Sequence, residues 1–302
     1  MTEGVAAVNV AFGTVHNEST GTLSVDNGAG IYGTNGGRIV NDGTINVTGT
    51  GAGIAGLSKG SVTYGNKKVD ITNNGTVSIA GDNAIGIFAY NNDNAAQSDV
   101  VINSNSALSL GTNGVGIAVK GANGGVINLG GTGNITAGTG GIGIYAENSR
   151  INLNADVQIE TKENGVGIYT AGTSQTFGAG KTLTYKYSGT ATGTGIASIY
   201  SGANSSNNMN IVLDNSVNTA GGMVGILAKG GGTFTNTGSI SGTSSGRELA
   251  VISENTAVAN SGNITLGNAT SLNDANVGIY AKTDNAVTNT GNITAGSNSI
   301  GI

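Results

Sequence analysis

One short motif, a glycine and an isoleucine followed by two small or apolar residues, returns along the entire chain. GIYG begins at Gly30, GIAG at Gly53, GIFA at Gly86, GIAV at Gly116 and GIYA at Gly143. The series continues with GIYT at Gly167, GIAS at Gly195, GILA at Gly225, a degenerate AVIS at Ala250, GIYA at Gly278 and a final GI at Gly301. These eleven anchors span 271 residues in ten steps of 23 to 33, with a mean near 27. A period of that length is the signature of stacked repeats, in which each unit buries its apolar face only against its neighbours.

Two further elements recur between anchors. One is a short alternating strand, usually opened by a turn glycine: GTLSV from Gly21, GTINV from Gly43, GTVSI from Gly75, GNITL from Gly262 and GNIT from Gly291. The other often precedes it, as in VINL from Val126, RINL from Arg150, TFTN from Thr233 and AVTN from Ala286. Three strands per repeat predict an all-β, right-handed parallel β-solenoid of about ten coils, with residues 1–302 as a single segment. Coils stacked through parallel hydrogen bonds lie about 4.8 Å apart.

Alternation assigns the faces. It places Ile142, Ile144 and Ala146 inside with Gly143 and Tyr145 outside, and likewise Val115, Ile117 and Val119, or Val277, Ile279 and Ala281, inside. Tyr32, Phe88, Tyr145, Tyr169 and Tyr280 share the outward slot after the Gly-Ile pair, where an aromatic ladder is expected. Asn236, Asn260 and Asn289 end the middle element at equivalent positions. They are expected at corners, in left-handed conformation and with laddered side chains.

Composition agrees. Gly makes up 55 of 302 residues while Pro, Cys and Trp are absent, so frequent turns are expected to rest on positive φ. Only 10% of residues are charged, yet mean hydropathy is close to zero, unlike a disordered chain. The net charge of −5 with scattered Lys and Arg makes nucleic acid and anionic membrane poor partners. No stretch approaches the roughly 20 apolar residues of a spanning helix.

Chemistry-bearing patterns are sparse. GAGIYG from Gly28 and GAGIAG from Gly51 satisfy GxGxxG, but no helical period follows and both coincide with the anchor. His16 is the sole histidine, so neither a His-dependent triad nor a multi-His metal site can be assembled. Acidic residues are spread along the chain, with Glu160 and Glu163 near neighbours beside Lys162. No enzyme activity, cofactor or metal is expected. Recognition is expected where the chain departs from its repeat: Leu57 to Asp70, with Lys59, Tyr64, Lys67 and Lys68; Asn91 to Asp99; and Thr173 to Thr194, with Phe177, Lys181, Tyr185, Lys186 and Tyr187. Tyr64, Lys67, Lys68, Phe177, Lys181, Tyr185, Lys186 and Tyr187 are the candidate partner-binding residues.

The segments NNGTVSI from Asn73, TNTGNITAG from Thr288 and VGIYAK from Val277 resemble the passenger repeats of large fusobacterial autotransporter adhesins of the RadD-like group. The resemblance runs along the whole chain. It implies type V secretion, display at the cell surface through an outer-membrane β-barrel, and attachment to bacterial or host-cell receptors of protein or glycan chemistry. Neither signal peptide nor barrel is recognisable in these residues, so a fragment of a longer protein, monomeric in solution, is expected. A solenoid carbohydrate-active enzyme and a passive spacer are the alternatives.

Overall fold

The computed structural model describes residues 6–34, 36–58, 68–91, 100–172, 176–177, 180–190, 193–202, 204–215, 222–242, 247–282 and 285–302. These contain no α-helix. Two compact units divide the chain, Met1–Ala155 and Asp156–Ile302, and each is a parallel β-solenoid.

In the first unit the chain visits three strand positions in rotation. The anchor sheet orders Ala6–Ala11, Gly28–Thr34, Gly51–Ser58, Ile85–Asn91, Val115–Lys120 and Ile142–Glu147. The second sheet runs Thr14–Asn17, Arg38–Asn41, Val69–Asn73, Val100–Ser104, Val126–Leu129 and Arg150–Leu153; the third runs Thr22–Val25, Thr44–Val47, Thr76–Ile79, Leu108–Leu110 and Ile135–Ala137. The strand pairings are parallel and join equivalent residues of successive coils.

The second unit repeats the plan. Its anchor sheet orders Val166–Ala171, Thr194–Ser201, Gly222–Lys229, Glu248–Glu254 and Val277–Ala281. A 3-10 turn, Leu272–Asp274, is inserted before the last of these.

The interior is built of columns. In the first unit Ile31, Ile54, Ile87, Ile117 and Ile144 stack on the anchor sheet, facing Ile39, Ile71, Ile102, Ile127 and Ile151 of the second, and all ten are fully buried. Each such aliphatic contributes about 1.5–3 kcal/mol, but only because coils above and below remove it from water. The predicted alternation holds for these isoleucines and for Val119, and it fails one step earlier. Val115, Ile142 and Val277 are only half-buried, and the anchor glycines turn inward with the isoleucines that follow them.

The reason lies in the close approach of two coils. A Cβ on Gly116 would stand 2.4 Å from the carbonyl oxygen of Gly143 and 2.8 Å from a methyl of Ile135 on the third sheet. Gly30 meets Gly53 and Ile45 in the same way, Gly53 meets Gly86 and Val77, and Gly278 meets Gly301 and Ile293. None of these anchor glycines has positive φ. They are needed because another backbone occupies the side-chain position, which corrects the expectation that Gly143 and its counterparts face outward.

The asparagine expectation is half right. In the second unit Asn207 donates to Asn236, Asn236 to Asn260, and Asn260 to Asn289, at 2.8, 2.7 and 2.7 Å. Each amide's second hydrogen goes to a carbonyl two residues on, those of Met209, Gly238, Gly262 and Gly291. A shorter ladder of the same kind, Asn17 to Asn41 to Asn73, runs through the first unit. These residues end strands and are not left-handed. Positive φ is found instead at other corners, at Asn83, Asn113, Asn148, Asn164, Asn204, Asn255 and Asn298.

Candidate functional site: the outer face of the anchor sheet

The segment Thr173 to Thr194 does not present its aromatics to a partner. Thr182–Tyr187 is a strand of the third sheet whose alternation turns Leu183, Tyr185 and Tyr187 inward, all with no exposed surface. Tyr185 stands in register with Ile159 and Leu213. Its hydroxyl meets Thr161 Oγ1 at 2.5 Å and donates to the Gly165 carbonyl at 3.2 Å, and burial pushes its ionisation well above the ordinary tyrosine range. Phe177 is likewise buried, edge-on to Tyr200 with ring centres 5.0 Å apart. Phe177, Tyr185 and Tyr187 are core residues, a correction to their expected role in binding.

The room for Tyr185 is supplied opposite, by a register that the motif misleads about. Ala197, not Gly195, occupies the anchor-glycine slot of that coil, and Ser198 takes the isoleucine slot, two residues later than GIAS suggests. Small residues there leave volume for the ring. Ser198 then satisfies its hydroxyl on the carbonyl of Gly225 at 3.1 Å.

The basic candidates are dispersed. Lys186 lies outward on the third sheet of the second unit, 3.2 Å from Glu160. Lys181 is half-buried at the start of the same strand, and Lys68 is exposed at the entry to Val69–Asn73 of the first unit. Tyr64 and Lys67, with Lys59, lie outside the described residues, as do residues 92–99 of the expected loop Asn91 to Asp99.

A different surface stands out when the three outer faces are compared. On the third sheet the outward residues are polar: Thr22 and Ser24, Thr44 and Asn46, Thr76 and Ser78. On the second sheet Asn103, Asn128 and Asn152 form an amide ladder with 2.8 Å steps. The anchor sheet instead shows apolar columns. In the first unit its central outward column is Asn9, Tyr32, Ala55, Phe88, Ala118 and Tyr145. Beside it Ala52, Ile85, Val115 and Ile142 are in register.

In the second unit the matching column is Tyr169, Ile199, Leu227, Ile252 and Tyr280, flanked by Val166, Ile196, Val224, Leu249 and Val277. Tyr280 is 48% exposed. The aromatic slot exists, but the rings do not stack on each other. Alanines separate them in one unit and branched aliphatics in the other.

Charges border this face. Lys120 lies over the ring of Tyr145 at 5.3 Å, Lys229 over Tyr169 at 5.6 Å, and Lys282 bonds Glu254 at 2.8 Å. That bond, together with the charge of Glu254, holds the Lys282 ammonium above its ordinary value. A one-sided apolar strip with a charged margin is the usual character of a surface that meets a partner. The signal in the sequence was the residue on either side of most Gly-Ile pairs, which is apolar or aromatic where the outer positions of the other strands are mostly Thr, Ser, Asn or charged, Val40, Val101, Val126 and Val212 being exceptions.

Three polar features are weaker candidates. His16 contacts Asp42 at 2.5 Å, Asn74 donates to Asp42 at 2.8 Å, and Asn105 donates to Asn74 at 2.8 Å. The bonds from Asn74 and His16 hold the Asp42 carboxyl below its ordinary value. An open depression of about 460 Å³ on the third sheet is lined by Ser24, Asp26, Asn46, Thr48 and Ser78 among others. On the same sheet of the second unit Glu160 and Asp214 share a column with Lys186 between them. Among the described residues no group of three His, Cys, Asp or Glu side chains is placed to hold a metal ion, and no helix is long and apolar enough to cross a membrane.

No protein family, curated protein or solved structure matches this chain.

Proposed function

We propose that the chain is a passenger segment of a bacterial surface adhesin, of the fusobacterial autotransporter kind that its repeats resemble, and that it attaches to a receptor on bacterial or host cells. The observation that carries this reading is the asymmetry of the outer faces: the outward residues of the anchor sheet are mostly apolar or aromatic in both units, while those of the other sheets are mostly Thr, Ser, Asn or charged, with a few valines. A non-catalytic role suits a molecule whose buried hydrogen bonds serve to fix the stacking of its coils. Binding energy at such a surface concentrates in rigid aromatic and aliphatic anchors, and Tyr32, Phe88, Tyr145, Tyr169 and Tyr280 supply them.

The test is binding of the purified chain to whole bacterial and host cells and to arrayed glycans. Saturable binding that is competed by unlabelled chain supports the adhesin. Uniform absence of binding sinks it and leaves a spacer, the reading that the continuous interior ladders favour on their own.

A further inference from the structure

On the third sheet of the first unit, Ser24, Asn46, Ser78, Ser109 and Thr136 form one outward column, in register over five successive coils and all exposed or half-buried. Among the described residues, none of these five side chains is bonded within the protein. The second sheet differs, because there Asn103, Asn128 and Asn152 bond one another. Two residues further along the strands, about 6.6 Å away, stand Asp26, Thr48 and Ala80. The bonds from Thr48 N to the Val25 carbonyl and from Ala80 N to the Val47 carbonyl keep that second run in step with the first. Both runs line the open depression of about 460 Å³. The five strands that carry the column contain no charged residue. Asp26 follows the first of them and Asp42 shortly precedes the second.

We infer that this column binds an extended, uncharged β-1,4-linked hexose chain laid along the stacking direction, one sugar to a coil. The site is separate from the anchor face and goes beyond the reading of that face as the receptor surface. Donors and acceptors that repeat about every 4.8 Å match a polymer whose hydroxyls recur at nearly the same interval, as they do along such a chain. Successive sugars in it are flipped, so each rung meets a different hydroxyl. Ser, Thr and Asn both donate and accept, and serve either orientation. The column has no aromatic or large aliphatic anchor of the kind a protein partner needs, and the carboxylates of Asp26 and Asp42 repel a uronate or sulfated chain. Hydrogen bonds that replace bonds to water add little each, so five sugars are held with a dissociation constant on the order of 1 mM. Equilibrium attachment to cells is therefore governed by the anchor face and does not report on this site.

Titration calorimetry of the full chain with β-1,4-linked oligomers of two to seven residues tests it, one series built of glucose and one of N-acetylglucosamine, which separates the two sources of this backbone. Affinity is expected to rise severalfold with each added residue and to level off near five, the number of rungs in the column. A polyuronate oligomer of equal length is expected not to bind. Asn46→Ala should weaken the five-residue oligomer about fivefold, and Ser24→Lys with Ser78→Lys, which fills the depression, should abolish binding. Far-UV circular dichroism and thermal melting of each variant separate lost binding from lost folding. No heat from either series at millimolar concentration, affinity independent of length, equal binding of the polyuronate, or binding that survives the double lysine variant overturns the inference. Cell attachment retained by a chain that ignores both series overturns this site alone; oligomer binding by a chain that attaches to no cell upholds it and sinks the adhesin reading.

Discussion

Asn236 donates to Asn260 at 2.7 Å with one amide hydrogen and to the Gly238 carbonyl at 2.9 Å with the other, while its own oxygen accepts from Asn207 at 2.8 Å. Every polar atom of this buried side chain is therefore satisfied by the coil itself and its two neighbours. Asn236→Ala is expected to cost about 2–4 kcal/mol, because it strands donors and acceptors on both sides. Asn105→Ala, at the end of the exposed chain that runs through Asn74 to Asp42, is expected to change stability by no more than about 0.5 kcal/mol. Urea unfolding of both variants gives the comparison, and equal midpoints would show the interior ladder to be incidental.

Gly116→Ala is expected to cost about 1–3 kcal/mol or more, since the new methyl meets, besides the Ile135 methyl, a carbonyl oxygen of the next coil that cannot move aside as a side chain can. Gly13→Ala is the control, with its nearest neighbour, a methyl of Val10, at an ordinary 3.6 Å. If thermal melts of the two variants fall together, the close approach of coils is not what selects glycine.

Tyr185 and Tyr200 are fully buried, and desolvation raises the ionisation of both well above the tyrosine value of 10.0. A folded-state pKa raised in this way favours the neutral form. Its contribution is fully present below pH 10 and is lost as pH rises further, because the unfolded chain then releases protons that the folded chain keeps. The unfolding free energy should fall by about 1.4 kcal/mol per pH unit for each tyrosine above that point. Tyr187, also buried and raised by desolvation, adds to the same loss, so Tyr185→Phe should remove one tyrosine's share of the slope, and a slope unchanged by that substitution would contradict the burial assigned to it.

Ile117→Asp is expected to cost more than about 4 kcal/mol, by placing an uncompensated charge between Ile87 and Ile144. Lys120→Asp, three residues on and exposed, loses only the contact with the Tyr145 ring, at most about 1 kcal/mol. Similar losses in both would mean that the inner and outer faces are exchanged.

The repeat was legible because strands of one coil must match those of the next, and matching residues leave a period. The isoleucine columns followed from alternation for the same reason. What alternation could not show is where it breaks. Gly116 and Ile117 both face inward because a carbonyl of the following coil fills the glycine's side-chain space, a relation between coils and not between sequence neighbours. The same limit hid the register at Ala197 and Ser198, where a partner strand carrying Tyr185 needs small residues opposite and shifts the slots by two. Tyr185 and Tyr187 read as loop aromatics because their segment is irregular in length. Yet TLTYKY alternates, and Leu183 in phase with both tyrosines marked the side they would take. The outward placing of Val115, Ile142 and Val277 was hidden for a related reason: alternation counts back from the buried isoleucine and cannot show that the glycine between them also faces inward.

The most direct test of the functional reading compares faces. One variant carries Tyr32→Ser, Phe88→Ser and Tyr145→Ser on the anchor sheet; a second carries Ser24→Lys, Ser78→Lys and Asn128→Lys on the other two. Equilibrium binding to intact bacterial and host cells is measured for both, after each is shown to melt within a few degrees of the parent. The account predicts that the first loses at least tenfold in affinity while the second binds as the parent does. Loss confined to the second, with the anchor-face variant unimpaired, would contradict it.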